Sequence, residues 1–218
     1  MTRDNSGAED TGMRTLKDGS TDSASVETYY DDWAGSYNDT LATWDYRAPD
    51  EAAERLAPHL SAGSAILDVG CGTGLFAKAL KARLDCVLDG VDISADSLAI
   101  AEGSGLYRRV TRHDLQKTPL PAADDSMDAA ASIGVMTYIE APEALLRDLC
   151  RIVRPGGAIL FTHRVDLWEK QDFQTILDRI ATDGLWRAPT VSAPRPYLPN
   201  NEEMRGIDVH HVLARVAG

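Results

Sequence analysis

The sequence predicts one doubly wound α/β domain: a seven-stranded sheet, mostly parallel, with an antiparallel last strand. Three observations carry this. Short apolar runs of strand length alternate with helical periodicity along residues 24–218. The run Ala65-Ile66-Leu67-Asp68-Val69 passes straight into Gly70, Gly72 and Gly74 and then a helical pattern, the strand–turn–helix of a ligand-binding crossover. The last two strand-like stretches, 185–192 and 207–216, have no helix between them, so they pair as an antiparallel edge hairpin.

In chain order, residues 1–23 are rich in Asp, Ser, Thr and Gly without apolar periodicity and read as a disordered acidic tail. Val26, Tyr29, Tyr30, Trp33, Ala34 and Tyr37 recur at helical spacing and place aromatics on one face of an N-terminal helix. Pro49 starts a second helix, about 50–60, whose Ala52, Ala53, Leu56 and Leu60 form a packing stripe. Tyr46 and Arg47, just before it, either face a ligand or pair with local acids. The glycine turn follows the first strand. Its missing Cβ atoms allow positive φ and close approach of the backbone to a ligand.

The second strand, 86–92, ends in Asp92, 18 residues beyond Gly74, where doubly wound folds present a carboxylate to ribose hydroxyls. A third strand spans 106–112, a fourth 127–136 and a fifth 158–163 after the turn Arg154-Pro155-Gly156-Gly157. Helices are expected over about 142–153 and 167–183. His163 ends the fifth strand on the edge where ligands bind in this topology. It either accepts a proton there or serves only the structure.

At 218 residues the chain holds one substantial core, and its net charge of −12 argues against a nucleic-acid partner, whose phosphates call for clustered Lys and Arg. Cys71, Cys86 and Cys150 lack C-x-x-C spacing, which suggests neither a disulfide framework nor a zinc site and suits a reducing cytoplasm. No run reaches membrane-spanning length, so a soluble cytoplasmic protein with no membrane partner is expected. The glycines fall as G-x-G-x-G, with Leu75 in the sixth position, which departs from the dinucleotide pattern G-x-G-x-x-G.

Asp68-Val69-Gly70-Cys71-Gly72-Thr73-Gly74 resembles the first motif of the class I S-adenosyl-L-methionine (SAM) dependent methyltransferases. Tyr29 to Tyr37 is similar to the segment that closes over SAM in many small-molecule members, and the succession of strands keeps the family's spacing. Tyr-Asp-x-Trp-Ala, Asp-Tyr-Arg-Ala-Pro and Arg-Pro-Tyr-Leu-Pro look like the Williams–Beuren-region methyltransferase-like group.

The resemblance implies a Rossmann-like methyltransferase domain over 24–218 with a lid at about 26–60. It also implies SAM as cofactor and S-adenosyl-L-homocysteine (SAH) as product. Asp68, Gly70, Cys71 and Gly72 would carry the methionine end. Asp92 and Ile93 would hold the ribose, Asp114 and Leu115 the adenine, and Ile133 to Met136 would wall the adenine and sulfur. Trp33, Tyr37 and Tyr46 would cover the sulfonium, where aromatic faces attract a cation.

His163 is the candidate base, with Tyr138 and Arg164 as residues that orient the acceptor. Aromatics at 168, 173, 186 and 197 are expected to shape a partly apolar acceptor pocket. Ser132-Ile133-Gly134 and Thr162-His163-Arg164 supply no magnesium ligands, and the Asn-Pro-Pro-Tyr loop used for flipped bases is missing, so a metal-independent reaction on a free small molecule is expected. Two alternatives remain open: a non-catalytic SAM/SAH-binding regulatory module, and an NAD(P)-dependent oxidoreductase.

Overall fold

The computed structural model describes residues 16–17 and 20–218, so most of the expected tail lies outside the described residues. The helices α1 (Ser23–Trp33), α2 (Tyr37–Thr43) and α3 (Ala48–Leu56) lead into the sheet. The strands β1 (Ala65–Val69), β2 (Val87–Asp92), β3 (Arg109–Arg112), β4 (Met127–Ser132) and β5 (Val153–Arg164) enclose α4 (Leu75–Lys81), α5 (Ala95–Gly103) and α6 (Pro142–Ile152). Then come α7 (Val165–Lys170), α8 (Phe173–Thr182), β6 (Trp186–Val191), the two-residue β7 (Arg195–Pro196) and β8 (Asp208–Val216).

The strand order is β3-β2-β1-β4-β5-β8-β6, with β7 added to β8 as an eighth strand. Strands β1 to β5 pair in parallel, and β8 lies antiparallel between β5 and β6. The late pair is therefore the expected antiparallel feature, with β8 one place in from the edge.

Side-chain alternation along each strand divides the core into two layers. Ile66, Ala129, Ala131, Ala158 and Leu160 pack with Ala52, Leu56, Phe76 and Leu80 on one face. Leu67, Val69, Ala130, Ile159 and Phe161 pack on the other with Leu145, Leu149, Phe173, Leu177 and Ile180. Trp186 and Phe173 are thus core residues, not walls of an acceptor pocket, and the Trp186 indole N–H donates to the Leu177 carbonyl at 3.2 Å.

Several expected boundaries move for local reasons. The N-terminal helix starts at Ser23, where the Asp22 side chain accepts from the Ser25 N–H at 2.8 Å, and it breaks at 34–36 in a tight turn containing Gly35. The expected helix 167–183 is two helices, because Asp172 adopts φ +46, a left-handed conformation that aspartate tolerates better than most residues. The expected turn at 154–157 is absorbed into β5 as an irregularity, with the register against β4 shifting between Met127 and Ala129. The third strand begins only at Arg109, since Tyr107 turns in beneath the glycine loop.

Candidate active site

The parallel strands deliver their carboxyl ends to one edge, and α1 and α2 roof that edge. A cleft opens there, lined by Tyr30 and Tyr37 from the roof, by Gly70, Gly72 and Asp92 from the strand ends, and by Tyr138. A smaller adjoining cavity of about 340 Å³ shares Tyr37, Gly70, Gly72 and Ile133 and adds Tyr46, Asp68 and Cys71. Ile93, Asp114, Leu115 and Ile133 also line the main cleft. Of the expected cofactor residues, the structure therefore brings all but Trp33 to the walls of these two adjoining cavities. Trp33 stands behind them, its ring T-shaped against Tyr37 at 4.6 Å and tilted on Trp44 at 5.7 Å.

Two glycines are demanded by geometry. Gly70 has φ +73, and a Cβ there would lie 2.2 Å from Val135 Cγ2, so the end of β1 sits directly against the segment leaving β4. Gly134 has φ +77, and its Cβ would meet the Tyr46 hydroxyl at 2.9 Å. The bare backbone thus lets two strand exits and a tyrosine crowd around one floor.

Asp92 closes the loop. Its Oδ2 accepts from the Gly72 N–H at 2.8 Å and its Oδ1 from the Ser94 N–H at 2.9 Å. Burial pushes its carboxyl above the usual range, opposed by those backbone bonds. Asp114 is shifted the other way. Partial burial alone would raise it, but hydrogen bonds from the Gln116 N–H at 3.1 Å and the Ser23 hydroxyl at 2.9 Å hold it below the usual carboxylate range. The Ser23 bond also ties α1 to the loop that follows β3.

The roof has further ties. Ser94 Oγ donates to Asp31 Oδ1 at 2.6 Å, and Thr73 Oγ1 donates to Asn38 Oδ1 at 2.6 Å, so both N-terminal helices are fastened to the loops that follow β1 and β2. Tyr30, which sequence reasoning placed on the aromatic face without choosing it, lines the cleft and meets the Tyr138 ring edge-on at 5.9 Å. Its spacing of four residues from Val26, which also lines the cleft, puts both on one face of α1 and was the available signal. Gln116, Ser97 and Ile139 also line the cleft and carried no distinguishing pattern, and Val135 lines it within the expected wall 133–136.

The candidate base is corrected. His163 is 1% exposed and lies away from the cleft, its ring 4.2 Å from Phe173 and 6.0 Å from Trp168. Its Nε2 pairs with Gln171 Oε1 at 2.9 Å, an arrangement made possible by the helix break at Asp172. Burial depresses its pKa to about 4, so it is neutral at pH 7 and serves the core.

Because protonation is costlier in the folded than in the unfolded state, stability should be full above about pH 6.5. It should fall by up to about 3 kcal/mol as pH drops towards 4. Urea unfolding across that window checks this, and His163→Gln should flatten much of the slope.

Tyr138 does line the cleft, and burial raises its hydroxyl above the ordinary tyrosine value, which suits it to donate a hydrogen bond and not to accept a proton. Arg164 is engaged elsewhere. Its guanidinium pairs with both Asp166 oxygens, at 3.0 and 2.7 Å, and Nη1 donates to the carbonyls of Leu16 and Lys17 at 2.8 and 2.7 Å. The cleft is thus rich in tyrosine and poor in titratable bases. Backbone at the glycine turn, a carboxylate at the end of β2 and another past β3 can hold a nucleoside bearing an amino-acid tail.

Comparison with known proteins agrees with this geometry. Residues 67–161 match a family described as a methyltransferase domain. Methyltransferase-like protein 27 of Homo sapiens is 35% identical over 164 residues, which are 72% of this chain and 66% of that protein. Methyltransferase GfsG of Streptomyces halstedii is 34% identical over 125 residues, 56% of this chain and 44% of that one. The chain therefore spans less than two thirds of either relative. Among solved structures, a TehB-like SAM-dependent methyltransferase from Corynebacterium glutamicum superposes with a TM-score of 0.64 at 18% identity, covering 87% of this chain and 98% of that one. That likeness shows the shared fold.

Proposed function

The chain belongs to the class I SAM-dependent methyltransferases, with SAM as cofactor and SAH as product, and from that premise we propose that it methylates a small-molecule nucleophile without a metal. Family membership sets aside the nicotinamide alternative. The observation that carries the proposal is that the two cavities share Tyr37, Gly70, Gly72 and Ile133 in their walls. The glycine turn, Asp92 and Asp114 with Leu115 line one path, and Tyr138 and Tyr30 border the space beyond it.

When bound, SAM supplies an activated methyl group on a sulfonium. The chain's residues bind, orient and exclude water. Asp92 is placed to accept from the ribose hydroxyls and the Leu115 N–H to reach the adenine ring, while the tyrosine roof keeps solvent from the reacting atoms. Tyr138 is the residue we assign to orient an acceptor oxygen, nitrogen or sulfur in line with the methyl carbon.

With His163 withdrawn into the core, no histidine or lysine lines the cleft among the described residues. The reading therefore favours an acceptor that arrives as a ready nucleophile, such as a carboxylate, a thiolate or a neutral amine. The same scarcity supports a second reading, a module that binds SAM or SAH without turnover. Among the described residues no helix is long and apolar enough to cross a membrane, and we place the acceptor in solution.

Mass spectrometry of the purified protein for co-bound SAM or SAH, followed by hydroxyl, carboxyl, amine and thiol acceptor panels, tests the proposal. Turnover on one class supports it, and affinity without turnover on any supports the regulatory reading. Tyr138→Phe should leave SAH affinity within about twofold and lower turnover about tenfold, the worth of one orienting hydrogen bond.

A further inference from the structure

Asp68 is a buried carboxyl, 1% exposed, in the wall of the smaller cavity. Among the described residues it has no lysine, arginine or histidine partner, and its hydrogen bond comes from the Tyr107 hydroxyl to Oδ2 at 2.6 Å. Tyr107 is clamped. Its ring lies where Cβ atoms on Gly74 and Gly90 would sit 3.2 and 3.1 Å away, so only glycines at those positions let it pass under the loop.

We propose that Tyr107 is a positioning residue for cofactor capture, holding Asp68 by one oxygen so that the other faces the cationic ammonium of the cofactor's amino-acid end. The inference rests on the SAM assignment and adds a residue outside the glycine motif. A buried acid without a countercharge is costly to ionise, and a ligand cation placed beside it supplies the missing partner. The groups that face Asp68 are Tyr107 from the β3 approach, Cys71 in the loop, Asp92 from β2, and Tyr37 and Tyr46 across the cavity.

Burial holds the Asp68 carboxyl up at about 7, the Tyr107 hydroxyl pulls it down, and Asp92 pushes it further up. The ammonium binds the ionised carboxylate and so displaces a proton near neutral pH. The sign follows: affinity for a ligand bearing the ammonium rises as pH climbs through about 7.

Calorimetry with SAH and with 5′-methylthioadenosine, which keeps the nucleoside and sulfur but has no amino-acid tail, tests this. Wild type should bind SAH about tenfold more tightly at pH 8 than at pH 6, relative to methylthioadenosine. Tyr107→Phe should move the midpoint of that ratio up by about one pH unit and weaken SAH about fivefold at pH 7 while sparing methylthioadenosine. Asp68→Asn should hold SAH at its acid-limb strength at every pH.

Equal weakening of both ligands in Tyr107→Phe, or an unmoved midpoint, would assign Tyr107 a purely structural role and overturn the proposal. Loss of pH dependence in wild type would overturn it too. Failure of wild type to bind either ligand would instead remove the cofactor assignment beneath it.

Discussion

Asp92→Ala should weaken SAH binding by at least about a hundredfold, the loss expected when a carboxylate accepting from two ligand hydroxyls is removed at about 1.5 to 3 kcal/mol per charged hydrogen bond. The effect reaches beyond the ligand. The same carboxylate holds the Gly72 N–H at 2.8 Å and the Ser94 N–H at 2.9 Å, so its removal frees both the glycine turn and the start of α5. Asp92→Asn keeps the size and one acceptor oxygen and should fall between the two. Calorimetric titration with SAH reads all three proteins, and an Asp92→Ala variant with wild-type affinity would remove the ribose assignment.

Gly70→Ala should damage the fold and the cleft together. It would force a left-handed alanine at φ +73 and drive a Cβ to 2.2 Å from Val135 Cγ2. The backbone contributes about 1 to 2 kcal/mol of this cost and the overlap about 1 to 3. Urea unfolding should therefore show a loss of roughly 2 to 5 kcal/mol, with SAH binding abolished because the turn is the floor of both cavities. Val135→Ala in the same chain should recover the overlap part of the stability and leave the backbone part. A double variant no better than Gly70→Ala alone would show that the contact with Val135 is not what excludes a side chain.

The sheet was legible because its signals are local and repeated. Ile66 and Leu67 face opposite layers, as do Ala130 and Ala131, and each strand ends in turn chemistry that proximity in sequence reveals. The cleft residues Gly70, Asp92 and Asp114 were legible for the same reason, since they sit at strand ends that the topology must gather on one edge.

What was hidden depends on direction and distance. His163 ends a strand on the binding edge, yet the residue's side of the sheet decides its role, and the partner that holds it, Gln171, is positioned by a left-handed Asp172 that no periodicity announces. Trp33 and Tyr30 share one aromatic face, and which of them reaches the cleft was settled by the break at 34–36, which turns α2 against α1. Tyr107 looked like part of a strand and is instead a prop beneath the loop, a role set by Gly74 and Gly90, 33 and 17 residues earlier in the chain.

The roof over the cleft has a consequence for assembly. The segments that form it precede β1, but their fastenings are remote: Asp31 with Ser94 across 63 residues, Ser23 with Asp114 across 91, and Leu16 with Arg164 across 148. A growing polypeptide therefore makes the cover first and has nowhere to seat it until the strand exits have formed. These segments leave the ribosome before the strand exits they dock on, and the loop-closure entropy of such remote contacts delays their seating until the sheet edge has formed.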